Sequence, residues 1–260
     1  MPRLCQQYRL LRLSHFLSAF LYRKTFKAGT PNPHPIMMTG KRALATAMQV
    51  KDYLLCENCE ERFNKYGETW AAGQVCDGKY FPLLQRLTLA LPFLETPQFR
   101  AVSGVAAGID TDKLAYFGLS ILWRAAAHKW KTLDGQTTSV DLGSCEDPIR
   151  KYLLGEIKLP SDIIVIATAC TDWLSQGSFY TPCRVRGNPY TAYAFLARGI
   201  HFIVLVGSDL PPSVRELCCV ASSRKPVFAR DHEEKVVHSF RHLYETAIPY
   251  PSPGATPIGG

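Results

Sequence analysis

The chain has 260 residues, of which 47% are hydrophobic and 20% charged, as is typical of a globular protein with one sizeable core and a small additional module. Its longest nearly unbroken apolar run, residues 163–169, is far shorter than the roughly 18 residues of a membrane-spanning helix, so we expect no transmembrane segment and no membrane partner. The net charge of +8 arises entirely in residues 1–50, which contain eight basic residues and no Asp or Glu.

The N-terminal segment is basic and lacks acidic residues, a composition that suits a polyanion. Nucleic acid is the commonest polyanion that such an arm binds, so we expect a nucleic-acid partner, DNA rather than RNA. The residues that we expect to bind it are Arg9, Arg12, Arg23 and Lys24.

An organellar transit peptide has the same composition as this segment. Under that alternative the segment is cleaved, and an unrelated enzyme or interaction domain follows it. The site of that domain would lie in residues 140–230, where Asp172, Ser178, Ser208 and Asp209 follow predicted strands. Turn formation is the other role that Asp and Ser have at such positions.

A Cys-x-x-Cys pair, Cys56 and Cys59, separates an apolar stretch from a charged, helix-forming one. The chain has nine cysteines and no secretory signal ahead of them, which is typical of a reducing, cytoplasmic environment, where such a pair binds metal or is redox-active. Structural zinc takes four ligands, and Cys5 is a candidate for a third. The other six cysteines are expected to be small core residues, namely Cys76, Cys145, Cys170, Cys183, Cys218 and Cys219.

Hydrophobic periodicity predicts both helices and strands after the cysteine pair. The β-branched runs are apolar enough to be central strands of a sheet. The predicted elements are, in chain order, a helix over 113–130, a shorter helix between Ser144 and Gly155, strands over 162–170 and 201–207, and an amphipathic helix over 231–245.

These elements predict an α+β fold with two parts. A small zinc module with a basic arm occupies residues 1–75, and a mixed helix-and-sheet body of unknown role occupies residues 76–248. A Pro/Gly-rich loop over 27–41 separates the basic arm from the cysteine pair. Residues 249–260 form a tail that is too poor in apolar groups to fold, and we expect it to be disordered.

About the first 70 residues resemble the zinc-supported HNH endonucleases, whose zinc module is a treble clef. The order in that family is a cysteine pair, a Ser-His or Asp-His that ends a short strand, a loop, and a Leu-Leu-Cys-x-x-Cys stretch that leads into a helix. In this chain the matching residues are Cys5, Ser14, His15, Cys56 and Cys59. The same stretch is also similar to a group of uncharacterised bacterial proteins with Ser-His, Tyr-Arg and Cys-x-x-Cys-Glu motifs.

The resemblance implies a metal-dependent endonuclease. His15 would be the general base that activates water for attack on a phosphodiester, and Asn32 in the loop would orient it. The three cysteines of the motif would hold a structural Zn²⁺. A catalytic Mg²⁺ or Mn²⁺ would be bound by carboxylates, with Glu60 at the position where the family has its last histidine.

The sequence departs from the family pattern at several positions. Tyr8 stands where a second zinc cysteine is expected, so the fourth ligand is open, with His34 and Glu68 as candidates. Ser14 replaces an acidic residue that often ligates the catalytic metal, and Glu60 replaces a histidine. These departures leave a second hypothesis open, namely a catalytically inactive zinc-binding module that serves nucleic-acid or protein binding.

Residues 15–26 favour a helix over the loop that follows the histidine strand in the family. A helix there would displace His15 from the general-base position. Under this alternative His15 is a buried histidine or a ligand of the structural zinc.

Overall fold

The computed structural model describes residues 4–23, 36–38, 43–45, 49–77, 80–132, 135, 137–185, 189–230 and 248–249. These residues form an α+β fold with a large sheet and several helices, as the sequence predicts. Lys24, Asn32, His34 and the helix predicted over 231–245 lie outside the described residues, as does all of the predicted tail except Pro249.

Eight α-helices lie within this part of the chain: α1 (Ala19–Arg23), α2 (Glu57–Phe63), α3 (Thr69–Ala72), α4 (Pro82–Leu89), α5 (Thr111–Ala127), α6 (Glu146–Leu154), α7 (Trp173–Gly177) and α8 (Pro212–Arg215). A π-helical segment, Asn64–Glu68, joins α2 to α3, and a 3-10 turn, Gly143–Cys145, precedes α6. Among the described residues, no helix is both long enough and apolar enough to cross a membrane.

The strands are β1 (Arg12–His15), β2 (Ile36–Met38), β3 (Ala43–Ala45), β4 (Lys51–Leu55), β5 (Pro92–Glu95), β6 (Phe99–Ser103), β7 (Trp130–Lys131), β8 (Thr137–Thr138), β9 (Ile163–Cys170), β10 (Ser178–Val185), β11 (Thr191–Ala197), β12 (Ile200–Val206), β13 (Pro226–Arg230) and β14 (Ile248–Pro249). Ten of them form one sheet in the order β14-β3-β2-β10-β11-β12-β9-β13-β6-β5. β1 pairs with β4, and β7 pairs with β8.

Four of the predicted elements of the body lie within the described residues and are present where the sequence places them. β9 and β12 are antiparallel neighbours inside the ten-stranded sheet, which confirms the two central strands. α6 ends at Gly155, whose φ of 71° is the left-handed conformation that glycine adopts at helix ends. α5 matches the helix predicted over 113–130 and is buried along almost its whole length.

Helix α5 packs closely against the large sheet because one of its residues lacks a side chain. A Cβ on Gly118 would lie 2.7 Å from the ring of Phe202 in β12, so only glycine permits this approach. The neighbouring Phe117 contacts the same ring edge-on, with the centroids 6.0 Å apart. α5 therefore has a fixed position, which matters because its last turn carries Arg124.

The N-terminal residues share a hydrophobic core with the body. Phe16 stacks on Trp130 with ring centroids 4.9 Å apart, and Phe63 of α2 meets Trp123 of α5 edge-on. Strands β2 and β3 belong to the ten-stranded sheet rather than to the small β1–β4 pair. The division near residue 75 stays a prediction, but residues on both sides of it pack together in one core.

Candidate functional site

The site is built on the short antiparallel pair of β1 and β4, followed directly by α2. The Ser14 hydroxyl is fully buried and accepts a hydrogen bond of 3.0 Å from the backbone N–H of Leu55. Ser14 therefore joins the two strands, a structural role that the sequence analysis did not assign to it. His15 is the last residue of β1, and α1 begins only at Ala19, so the expectation of helix from residue 15 is wrong.

Three cysteine side chains converge at the start of α2 and form a group that could hold a metal ion. The Sγ atoms of Cys5, Cys56 and Cys59 all lie within 4.8 Å of one another. Sγ of Cys56 is 3.8 Å from that of Cys5 and 3.4 Å from that of Cys59. Zinc–sulfur bonds of about 2.3 Å in tetrahedral geometry place sulfur atoms about 3.8 Å apart, so the thiols are close to the spacing that such an ion needs.

Within this cysteine group, the pKa values of Cys56 and Cys59 are shifted in opposite directions. Burial raises the pKa of Cys56, but hydrogen bonds from the Cys59 backbone and the two neighbouring thiols, together with the charge of Arg9, lower it below its ordinary value. Burial, followed by the contacts with Cys56 and Cys5, raises the pKa of Cys59 well above its ordinary value. One thiolate thus disfavours the next, and a bound cation would relieve this repulsion.

The described residues supply no fourth His, Cys, Asp or Glu to the cysteine group. Tyr8, at the position where the resemblance leads us to expect a second cysteine, is 92% exposed. Glu68 is paired with Arg124 instead, and His34 lies outside the described residues.

A pocket with a volume of about 350 Å³ lies beside the β1–β4 pair, and we call it the His15 pocket. β1, the start of α1, one face of the helical stretch from α2 to the π-helical segment, and α5 form its walls. Its lining residues are Arg12, Leu13, His15, Ser18, Ala19, Glu57, Glu60, Glu61, Asn64, Glu68 and Arg124. On α2, Glu60 and Glu61 lie three and four residues after Glu57, so both lie near it on the helix surface, and Glu68 follows in the π-helical segment. Together they give the pocket an acidic wall.

His15 is held in the neutral form that a general base requires. Burial is the largest influence on its pKa and, with the nearby charges of Lys51 and Arg124, lowers it below 6.5 although the hydrogen bond with Gln49 and the charge of Glu60 oppose this. His15 Nε2 lies 2.6 Å from Oε1 of Gln49. A carbonyl oxygen only accepts, so Nε2 carries the proton and Nδ1 is the basic nitrogen.

Gln49 makes the contact with His15 that the sequence analysis assigned to Asn32, which lies outside the described residues. Gln49 precedes β4 by two residues, and the register of the pair sets His15 opposite Lys51. A search restricted to asparagines in the loop could not find it. The signal that could have found it is an amide side chain at the start of the strand that pairs with the histidine strand.

Glu60 is in α2, and its side chain lines the His15 pocket. Its Oε1 atom is buried and has no hydrogen-bond partner among the described residues. In the described part of the chain, Glu60 belongs to no group of three or more His, Cys, Asp or Glu side chains that could hold a metal ion together. A hard cation at Glu60 would therefore keep water ligands, as Mg²⁺ commonly does.

Arg124 enters the same pocket from the body. Its guanidinium donates a hydrogen bond of 2.6 Å from Nη2 to Oε1 of Glu68 and lies 4.6 Å from the ring centre of Phe63. The close packing of the π-helical segment on α5 depends on Gly67, where a Cβ would lie 3.1 Å from the backbone of Phe117. This approach brings Glu68 to Arg124.

The outer face of the β1–β4 pair carries exposed apolar and basic side chains. Leu13 is directly opposite Tyr53, and both are exposed. His15 and Lys51 are the next pair on the same face, because side chains two residues apart on a strand point the same way. Tyr53 therefore lies on the face that carries His15.

The predicted nucleic-acid-binding residues have different surroundings. Arg9 is exposed, and its side chain bonds Gln7. Arg12 is exposed and forms an ion pair with Glu57 at the rim of the His15 pocket. The side chain of Arg23 and all of Lys24 lie outside what the structure describes.

Of the six cysteines expected in the core, five are buried and Cys183 is exposed. β10, which carries Cys183, has a register shift between Tyr180 and Cys183 and ends in exposed residues. The expectation for Cys183 is therefore wrong, because the chain there has left the packed part of the sheet.

The strand ends of the body carry a second pocket of about 450 Å³, which includes Asp141, Cys145, Asp162, Arg184 and Ser208. Of the strand-end residues predicted from the sequence, only Ser208 lies there. Asp172 instead caps α7 by accepting a hydrogen bond of 2.8 Å from the backbone N–H of Ser175, a role typical of aspartate.

Comparisons of this chain with models of protein families, with curated proteins and with solved structures found no match.

Proposed function

We propose that this protein binds nucleic acid and hydrolyses phosphodiesters at the His15 pocket, as a metal-dependent endonuclease of HNH type. The observation that carries the proposal is the state of His15. Its pKa is lowered, mainly by burial, and Gln49 fixes the protonated nitrogen, so the imidazole is neutral and basic at Nδ1 near neutral pH.

The order of elements supports this proposal. A strand ending in His15 pairs with a second strand, and that strand leads through Cys56 into a helix that carries Cys59 and Glu60. This is the order that the resemblance to HNH endonucleases implies. Its finer description as a treble clef belongs to the proposal.

Zinc is the ion that we propose for Cys5, Cys56 and Cys59, because three thiols suit it and their spacing is close to tetrahedral. Cys5 precedes β1, whereas Cys56 and Cys59 follow β4. The bound ion would tie the two strands together at the end opposite His15. It would thus support the geometry of the pocket without taking part in the reaction.

Glu60 is the residue that we propose to hold a catalytic Mg²⁺ or Mn²⁺, because its buried Oε1 is an unpaired acceptor within the described structure. Such an ion would supply stabilisation of the negative charge that develops on phosphate. His15 accepts a proton at Nδ1 from the attacking water.

The surface beside His15 suits a nucleic-acid strand. Tyr53 and Leu13 offer an apolar platform on which a base can stack, and Lys51, opposite His15, supplies positive charge for phosphates. Arg9 adds positive charge near Cys56, at the other end of the strand pair. Leu4 and Phe16 of the N-terminal segment are buried in the core, which supports a site that includes this segment.

A second candidate is a catalytically inactive metal-binding module that only binds nucleic acid or protein. The acidic wall of the His15 pocket favours it, because Glu57, Glu60, Glu61 and Glu68 repel phosphate when no cation is bound. The two candidates differ in whether a divalent ion restores phosphate binding and cleavage.

Nicking of supercoiled plasmid by full-length protein tests the proposal, with magnesium, manganese or nickel added in turn. Wild type should nick DNA, and His15→Ala should lose at least about a hundredfold in rate while still retarding DNA in gels. His201→Ala, in β12 of the body, is the matched control and should keep both properties. If wild-type protein binds DNA at low salt but nicks it with none of the three ions, the nuclease proposal is refuted. The inactive metal-binding module is then the remaining candidate.

A further inference from the structure

The side chain of Arg124 is buried to a degree that is unusual for a charged residue. It is 1% exposed, and only Nη2 has a partner, the Glu68 carboxylate. Nε and Nη1 are buried and have no hydrogen-bond partner among the described residues. Leaving donors of a charged group unpaired in a protein interior is costly, so these two N–H groups fit an acceptor that comes from outside.

Another residue that lines the same pocket, Glu60, has a buried hydrogen-bond acceptor. Oε1 of Glu60 is a buried acceptor without a donor in the described part of the chain. The His15 pocket thus has unpaired donors on its α5 side and an unpaired acceptor on its α2 side. A divalent cation would be bound by the carboxylate of Glu60, and a phosphoryl oxygen would accept hydrogen bonds from Arg124. A phosphate group that also binds the cation would therefore provide partners for both side chains.

We infer that Arg124 is the phosphate-binding residue of the His15 pocket and that the site is completed by the body. The inference rests on the proposed function and adds to it the residue that holds the substrate phosphate. Arginine suits this role because its planar guanidinium is always charged, and the second N–H of Nη2 forms a parallel pair of donors with Nε–H or with Nη1–H. Glu68 and the ring of Phe63 hold the guanidinium in place.

This arrangement gives the body a role in the site. Arg124 lies in the last turn of α5, whose position is fixed by the contacts of Gly67 and Gly118. The N-terminal residues contribute His15 and Glu60, and the body contributes the anion-binding group. Residues 1–75 alone would therefore lack a complete site.

Isothermal titration calorimetry on the full-length chain with magnesium tests the inference. Two probes are titrated separately, inorganic phosphate and a dithymidine phosphodiester, since a phosphoryl group can come from either a free phosphate or a nucleic-acid backbone. The variants are Arg124→Met and Arg124→Lys. Arg224→Met is the matched control, because Arg224 is an exposed arginine of the body that contacts Phe93.

Wild type and Arg224→Met should bind at least one probe with equal affinity. Arg124→Met should lose binding by about tenfold or more, and Arg124→Lys should lose part of it, because an ammonium cannot present two parallel donors. Arg124→Lys keeps a positive charge beside Glu68. Its affinity for the probes therefore tests the inference if Arg124→Met does not fold. Unchanged affinity in a folded Arg124 variant, or a wild type that binds neither probe, would overturn the inference.

The same titrations separate this inference from the proposed function. If inorganic phosphate binds through Arg124 but the phosphodiester does not, the inference about Arg124 is supported and the proposed nuclease function is refuted. If plasmid is nicked but neither probe depends on Arg124, the nuclease stands and the inference fails.

Discussion

Arg124 in α5 donates a hydrogen bond of 2.6 Å from Nη2 to Oε1 of Glu68, which lies in the π-helical segment that follows α2. The pair is largely buried, with the side chains 1% and 12% exposed. It links the helical wall of the His15 pocket to the body.

Glu68→Ala should destabilise the protein by roughly 3–5 kcal/mol, because it leaves the buried Arg124 guanidinium without its counter-charge. Glu57→Ala, which removes a partner from the exposed pair with Arg12, should change the free energy of unfolding by roughly 0–1 kcal/mol. Urea denaturation of both variants measures the difference. Equal effects would contradict the burial of the Arg124–Glu68 pair.

Ser14→Ala should cost about 1–2 kcal/mol of stability, because the buried N–H of Leu55 loses its acceptor. The loss should also weaken the β1–β4 pair that positions His15. Ser213→Ala, at an exposed position of α8, is the control and should change stability by no more than about 0.5 kcal/mol. Chemical denaturation tests this, and a Ser14→Ala protein as stable as the control would show that the bond contributes nothing.

His15 should titrate below its ordinary pKa of 6.5 in metal-free protein, and Gln49→Leu should lower this pKa further. The direction follows because the hydrogen bond with Gln49 favours the charged imidazole, whereas burial disfavours it. NMR titration of the histidine C–H resonances measures both values, with His15→Ala for assignment.

The depressed pKa of His15 also has a consequence for stability. The unfolded chain binds the proton more tightly than the folded one, so this contribution to stability is complete above pH 6.5 and is lost as the pH falls through the folded pKa. A His15 resonance that titrates at or above 6.5 would show that the ring is not shielded from water.

Tyr53→Ala should weaken binding of single-stranded DNA by roughly 1–3 kcal/mol, because it removes an aromatic surface for base stacking beside His15. Tyr80→Ala removes a similarly exposed tyrosine from the body and should leave affinity unchanged. Fluorescence anisotropy at constant salt compares the two variants. Equal affinities for both would remove Tyr53 from the nucleic-acid surface.

Much of the body could be predicted from sequence because its signals are local. The β-branched runs of β9 and β12 and the helical periodicity of α5 each determine their own element. The glycine after α6 likewise gives a local stop signal. The convergence of Cys5 with Cys56 and Cys59 followed from motif order alone.

The pocket itself depends on contacts that no local pattern encodes. Arg124 is the one charged residue of α5 after Lys113, and its contact with Glu68 joins positions far apart in the chain. Gln49 reaches His15 only through the register of β1 with β4. Residues 15–26 misled the prediction because helix-favouring side chains begin at His15, whereas pairing with β4 keeps His15 in a strand.

The metal content of full-length protein purified without chelator tests the central claim most directly, since the site is built on the cysteine group. Mass spectrometry should find one zinc ion per chain in wild type and in Cys183→Ser, whose cysteine is exposed and outside the group. The double variant Cys56→Ser/Cys59→Ser should contain none and should lose the folded arrangement around His15. A wild-type protein that is folded and carries no metal would contradict the account.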